Sequence, residues 1–329
     1  MRAAIIGAGF ISDYHADGYA QAANAELVAV CDVDIERAEK LAQRYGCRAY
    51  EDAAAMLEAE KPDAVSVCVP SFLHEQYVLL ALTHGAHVLC EKPLALTLEA
   101  CRRMNEAAEK RGLLLMTGQV LHWWPEYQTI SEQILRMGRP SFISTQRLQH
   151  GRPASWVNDP QKGGGALFDL FVHDVDFACS LSDDAPEIQA AWGQRGNRGA
   201  WRRLCVMLQW PDGMGAKIEA ANMMPLNFPF TVAFRADYAD ACIDYRFKAP
   251  LNIQRDAKTE ASLLVFEHGE VQALPTHPNA QTEAFRREIA AFIQGITTHQ
   301  NPLPCRKTIA TMEVIQRVKD RLERNDKPQ

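Results

Sequence analysis

The chain has 329 residues, is 47% hydrophobic and 23% charged, and carries a formal net charge of -6. That is enough chain for about two domains with real cores. Lys/Arg and Asp/Glu are well mixed with no basic stripe, which argues against nucleic acid as a partner, and no apolar run approaches the about 20 residues that a membrane-spanning helix needs.

In chain order, the opening MRAAIIGAG is already a strand running into a turn, without the charged leader and apolar core of a secretory signal. Nine cysteines stand singly, at 31, 47, 68, 90, 101, 179, 205, 242 and 305, with no CxxC pair. Such spacing reads as reduced, mostly buried thiols, so a cytoplasmic protein is expected. Apolar, strand-like runs occur at Ala3–Ile6, Leu27–Cys31, Ala64–Val69, His87–Cys90 and Leu113–Thr117. Helix-like stretches separate them at Ile11–Ala20, Ile35–Tyr45, Ala53–Glu60, His74–Thr83 and Leu98–Lys110. Runs that are apolar throughout, rather than alternating, predict strands buried on both faces, hence a parallel, doubly wound sheet.

Past residue 120 the rhythm changes. Helices are predicted over Glu126–Met137 and Ala166–Leu181. Strands of mixed polarity follow at Gln189–Trp192, Leu204–Trp210, Ala216–Ala220, Thr231–Arg235, Ala241–Phe247 and Ser262–Glu267. Two helices close the chain, about Gln281–Gly295 and Lys307–Arg324. Gathered strands with helices elsewhere predict an antiparallel or mixed sheet covered by helices on one face.

Three stretches carry chemistry. Gly7-Ala8-Gly9-Phe10-Ile11-Ser12 follows a strand and opens a helix, so Gly7, Gly9, Phe10 and Ile11 are candidates to cradle a dinucleotide pyrophosphate at the helix N-terminus. Asp32, at the end of the next strand, either accepts hydrogen bonds from the ribose hydroxyls, which favours NAD over NADP, or caps the following helix; Asp34 is the better cap. Glu91-Lys92-Pro93 ends a strand where open parallel sheets bind ligands. Pro93 disfavours helical geometry at Lys92, leaving the ammonium placed either to stabilise a developing alkoxide or simply in solvent.

The third stretch is GGGALFDLFVHDVDFA at 163–178. On a helix Asp169 and His173 are neighbours and Asp176 lies a turn further, as a general base beside an orienting carboxylate would. A satisfied helix histidine is the competing reading. A divalent metal is a distant third, and no metal is expected, since no other His/Cys/Asp cluster stands out. The three glycines suit either close approach to a flat ligand or an unusual loop.

GAGFIS, CDVD, VCVPSFLHEQYVLLALTHGAHVLCEKPLALT, GQVLHWWPEY and GGGALFDLFVHDVDF, in that order, resemble the glucose-fructose oxidoreductase / inositol dehydrogenase / rhizopine-catabolism (Gfo/Idh/MocA) family. The resemblance implies an α/β protein with an N-terminal Rossmann domain over 1–120. A C-terminal domain over 121–329 would carry a large open-faced, mostly antiparallel sheet, with the last helix packing back on the Rossmann domain. It implies a homodimer or homotetramer and NAD(P)-dependent oxidation or reduction of a sugar, inositol or related polyol. By position, Lys92, Asp169 and His173 match the family's catalytic residues. Pro70, Ser71 and His74 match a cofactor-lining loop, Glu91 and Lys92 of the EKP element are also expected cofactor contacts, and Gln119 stands in the segment passing the nicotinamide. His122, Trp123 and Trp156 are candidate substrate contacts, the tryptophans for stacking on a sugar face or else as core or interface residues. Phe171 stands where the family has glycine or histidine, and His122 where it often has arginine. The alternatives are an NAD-dependent glycoside hydrolase on the same scaffold and a non-catalytic NAD- or sugar-sensing protein.

Overall fold

The computed structural model describes residues 1–151, 155–250 and 259–326. They form two compact units, one of 1–123 with 281–309, the other of the described residues within 124–280 together with 310–326.

The first unit alternates strand and helix: β1 (Arg2–Ile6), α1 (Phe10–Gln21), β2 (Glu26–Cys31), α2 (Ile35–Tyr45), β3 (Arg48–Tyr50), α3 (Ala53–Glu60), β4 (Ala64–Val67), α4 (His74–Thr83), β5 (His87–Glu91), α5 (Leu98–Arg111) and β6 (Leu115–Gly118). The strands pair in parallel in the order β3-β2-β1-β4-β5-β6. Every residue of β4 and β6 is buried, as strands covered on both faces require. The short β3 was not expected; only three residues pair, and none of them is fully buried.

The second unit holds α6 (Pro125–Met137), β7 (Phe142–His150), α7 (Val172–Ser180), β8 (Glu187–Arg195), β9 (Trp201–Gln209), β10 (Gly215–Met224), β11 (Phe230–Asp237), β12 (Ala241–Ala249), β13 (Glu260–Glu267) and β14 (Glu270–Leu274). Its sheet runs β14-β13-β12-β11-β7-β10-β9-β8. All neighbours are antiparallel except β7 and β10. One face is apolar through Ile143, Val206, Ile218, Phe234, Ile243 and Tyr245, all buried. Tyr127 of α6 meets Phe177 of α7 edge-on at 4.8 Å between ring centres and Tyr245 of the sheet at 5.7 Å. The opposite face is charged: Glu219 accepts from Arg203 at 3.0 Å and from Gln146 at 3.1 Å, and Arg246 pairs with Asp244.

Strand β7 was not expected, and it lies inside the sheet, between β11 and β10. Its inward positions are Ile143, Thr145 and Arg147, so two of three are polar and the alternating apolar signal is missing. The guanidinium is buried because Asp174 of α7 meets it with both oxygens, at 2.8 and 3.1 Å. Burial alone would pull Arg147 down, but the Asp174 charge overrides it and holds the guanidinium firmly protonated.

The chain returns to the first unit through α8 (Ala280–Thr298) and the first turn of α9 (Cys305–Asn325). Ile289, Phe292, Ile293 and Ile296 of α8 join the core formed with Ile5, Tyr19 and Met116. Contact with α1 is close enough that a Cβ on Gly18 would lie 2.6 Å from Ile289 Cγ1, and Arg286 chelates Asp17 at 2.6 and 3.1 Å beside it. The rest of α9 belongs to the second unit, where Thr311 donates to Asp176 at 2.9 Å and Asn325 donates to the Ala191 carbonyl.

Arg147→Met should cost about 3–5 kcal/mol of stability, because Asp174 is left as an uncompensated buried charge. The double variant Arg147→Met/Asp174→Leu should recover most of that loss, as read from urea unfolding.

Candidate active site

The carboxyl ends of the parallel strands collect the first group of candidates. After β1, Gly7 adopts φ +100°, and a Cβ there would stand 2.5 Å from the Cys68 carbonyl oxygen, so only glycine makes this turn. Ser12, in the third position of the turn, donates its hydroxyl to the Gly7 carbonyl at 2.6 Å. A Cβ on Gly9 would meet nothing within 4 Å. The N-terminus of α1 has no side-chain cap, which leaves its first-turn N–H groups for an anion. Phe10 is 72% exposed and Ile11 is half-buried.

Asp32 follows β2. Its carboxylate accepts from the Ala8 N–H at 2.7 Å and the Asp34 N–H at 2.9 Å, which ties the end of β2 to the glycine turn. Asp34 occupies the cap position of α2 but makes no capping hydrogen bond and pairs with Arg37 instead. Asp32 therefore braces the glycine turn, with one carboxylate oxygen on each of the two N–H groups.

Past β4, Pro70 and Ser71 begin a single tight turn that leads into α4. His74, 1% exposed, places Nδ1 2.8 Å from the Pro93 carbonyl and Nε2 2.9 Å from the Val69 carbonyl. It is a strut between the loops after β4 and β5. At the end of β5, Glu91 turns inward: Oε1 takes the hydrogen bond of His15 Nε2 at 2.9 Å, and Oε2 that of the Lys92 N–H at 3.2 Å. Lys92, one residue on, is half-buried. Gln119, after β6, is 2% exposed and its Nε2 has no hydrogen-bond partner among the described residues. His122 and Trp123, half-buried, lie in the short turn that follows.

An open glycine, an uncapped helix start, a carboxylate after β2 and an orphaned amide donor after β6 fit a dinucleotide laid across the strand ends. They follow β1, β2 and β6 on the carboxyl edge of the sheet, where such sheets bind ligands and where the strand order reverses between β1 and β4.

The second unit carries the other group. Residues Leu167–Phe171 wind as one wider turn with i→i+5 bonding before α7 begins, so Asp169 lies in the wide turn and His173 in the α-helix. Asp169 accepts from Gln149 of β7 at 3.2 Å. His173 is 9% exposed. Asp176 is taken up by Thr311 and thus serves packing. The residue that sequence reasoning passed over is Asp174, wholly buried against Arg147; its only signal was an acid in a helix otherwise facing the core.

The three glycines serve the loop. Gly164 and Gly165 have φ +69° and +74°, and a Cβ on Gly165 would stand 2.2 Å from the Trp201 carbonyl oxygen. Phe171, the departure from the family pattern, is fully buried. Trp156 is 40% exposed. Nearby, Asn222 of β10 donates to Asn158 at 3.0 Å and accepts from Arg202 of β9, which ties the turn at 156–158 to the sheet.

A dinucleotide-binding α/β unit joined to a second unit with a helix-covered, mostly antiparallel sheet defines a class of two-unit nicotinamide-type proteins. Residues 1–119 match the model described as "Oxidoreductase family, NAD-binding Rossmann fold", and 128–236 match the "GFO/IDH/MocA C-terminal domain". The chain is 38% identical over 185 residues to a D-glucoside 3-dehydrogenase of Escherichia coli (strain K12), covering 54% of this chain and 53% of that protein. It is 32% identical over 316 residues to a 1,5-anhydro-D-fructose reductase of Ensifer adhaerens, covering 91% and 89%. A solved UDP-N-acetylglucosamine 3-dehydrogenase of Acidithiobacillus ferrooxidans shares the fold, with a TM-score of 0.81 at 24% identity over 98% of each chain. The chain spans about half the length of the first of these relatives and most of the second. It belongs to the Gfo/Idh/MocA oxidoreductase family.

Burial pulls the His74 imidazole below its ordinary value, against the Val69 and Pro93 carbonyls. As pH falls through the ordinary histidine range, the unfolded chain takes up this proton before the native one, so stability present at neutral pH is lost on acidification. Urea titrations at descending pH should show a component of that loss which His74→Gln removes; identical pH dependence in the variant would contradict it.

Proposed function

We propose that the protein is an NAD-dependent oxidoreductase that interconverts a secondary alcohol and a ketone on a sugar, inositol or related polyol. The observation that carries this is the set of groups at the strand ends: the Gly7–Gly9 turn, the open α1 N-terminus, Asp32, Lys92 and Gln119. Relatives named as dehydrogenases of sugars and of myo-inositol support it. Three of them are named for position 3 of a sugar, which makes glucosides and glucose phosphates the first substrates to test.

In this reading the first-turn N–H groups of α1 would hold the pyrophosphate, Asp32 the ribose hydroxyls, and Gln119, through its spare amide donor, the nicotinamide end. The bound NAD supplies the hydride acceptor. His173 takes the hydroxyl proton, Asp169 positions His173 or the substrate, and Lys92 hydrogen-bonds the reacting oxygen and eases alkoxide formation. His122, Trp123 and Trp156 contact the sugar. The 1–120 part binds the cofactor, and the 121–329 part binds substrate and mediates assembly into a homodimer or homotetramer through the charged open face of its sheet. Nine free cysteines, five of them buried, suit the reducing cytoplasm.

Among the described residues no helix is long and apolar enough to cross a membrane.

Screening sugars and inositols with NAD and NADP, by absorbance of the reduced cofactor, tests the reading; NADH binding with no turnover on any of them would sink it. His173→Ala should leave NADH binding intact and cut turnover by roughly 10²- to 10⁴-fold. Asp32→Ser should raise the use of NADP relative to NAD in the same assay, since the acid no longer repels a 2′-phosphate.

A further inference from the structure

Beneath Lys92 lies a buried cluster to which the functional reading gives no part. His15 of α1, Glu91 of β5 and Glu288 of α8 place ligand-type atoms within 4.8 Å of one another, and all three are buried. His15 and Glu288 are 0% exposed and Glu91 6%. His15 is held at both nitrogens, Nδ1 by Ser66 Oγ at 3.0 Å and Nε2 by Glu91 Oε1 at 2.9 Å. Ser66 in turn contacts the Tyr19 hydroxyl at 2.8 Å. Glu288 differs: neither carboxyl oxygen has a hydrogen-bond partner among the described residues. No lysine or arginine among them is paired with it. Of the other titratable groups acting on these carboxylates, Tyr19, Cys68 and Cys90 bring no positive charge, and burial pulls the His74 imidazole toward its neutral form.

Two ionised carboxylates this close, both buried and with one imidazole beside them, are strongly disfavoured. Something must neutralise one of them. Glu91 already has two donors, His15 and the Lys92 N–H, and a carboxylate that accepts two hydrogen bonds favours its charged form. Glu288 has none, so it is the member that takes up the proton. Burial, and then the Glu91 charge, push its carboxyl well above the ordinary range.

We propose that Glu91 is the positioning residue for Lys92, fixing the backbone from which the ammonium departs, and that Glu288 stays protonated so that His15 serves Glu91 alone. The Lys92 part rests on the functional reading above; the proton on Glu288 does not. Ionising Glu288 would set a second carboxylate competing for the His15 proton and loosen the Glu91 contact to the Lys92 N–H.

Infrared spectra of the full-length protein in deuterium oxide near neutral pH should contain the carbonyl stretch of a protonated carboxylic acid that Glu288→Gln removes. Between the ordinary carboxylate value and the raised one, the unfolded chain has released this proton and the native one has kept it, so wild-type stability should fall as pH rises through that window. Glu288→Gln should not show this fall. A band that survives in the variant, or parallel stability curves, would overturn the proton assignment. So would one equivalent of a divalent metal co-purifying with the wild type and missing from the variant, because a cation would then be the neutralising charge.

For Lys92, the rate of acylation by an amine-selective reagent, mapped by peptide mass, should change in Glu91→Gln; an unchanged rate would overturn the positioning role without any substrate in hand. With the most rapidly oxidised sugar of the screen, Glu91→Gln should lower kcat by on the order of 100-fold at unchanged NADH affinity. Glu91→Asp, which keeps the charge, should restore part of it and serves in its place if the glutamine variant does not fold. Wild type that binds NADH but oxidises nothing counts against the functional reading, while the infrared and labelling results still decide the cluster.

Discussion

The buried pair between Arg147 and Asp174 is the contact on which the second unit depends. It joins an interior strand of the sheet to the helix that carries His173, and it does so through two parallel hydrogen bonds that fix direction as well as distance. Asp174 is the residue after His173, so clamping it against the sheet sets the rotation of the whole helix. Aromatic packing of Tyr127, Phe177 and Phe234 supplies the apolar burial around it but would tolerate sliding; the ion pair does not. Such a pair contributes little net stability relative to an apolar filling, yet it makes one helix orientation far better than its neighbours.

In the first unit the equivalent constraint is the direction in which adjacent residues of a strand point. Glu91 and Lys92 are consecutive at the end of β5, and the carboxylate goes inward to His15 while the next residue starts the loop toward the ligand crevice. The same division appears after β1 and β2, where Ser12 and Asp32 spend hydrogen bonds on the Gly7 turn itself. The loops after β1 and β5 are therefore braced from within by the Ser12 and Glu91 hydrogen bonds, which is how a loop-borne site gains rigidity.

Much of this was legible in the chain. Strands buried on both faces read as unbroken apolar runs, and the glycine turn sits between a strand and a helix, so the parallel sheet and its ligand edge could be placed. β7 could not, because Thr145 and Arg147 occupy its inward positions and the compensating acid lies in a different element. Helical spacing singled out Asp169, His173 and Asp176 but could not tell which acid would face Thr311, or that Asp174 would face a guanidinium. Glu288 was invisible for the same reason: on an amphipathic helix near the end of the chain, one glutamate looks like any other until the fold brings it against His15. The triple glycine suited either a flat ligand or an unusual loop, and the loop it builds is packed against the protein's own backbone at Val157 and Trp201.

The Rossmann unit is assembled from two separated pieces of chain, and α8 completes its core by pressing Ile289, Phe292 and Ile293 against α1 and the sheet. On the ribosome, then, the opening segment emerges long before its own last helix exists, and it waits with an oily flank uncovered while the whole second sheet is made. Anyone building chimeras from this scaffold must transplant both pieces together, since a cut after residue 123 severs the unit from the part that shields it.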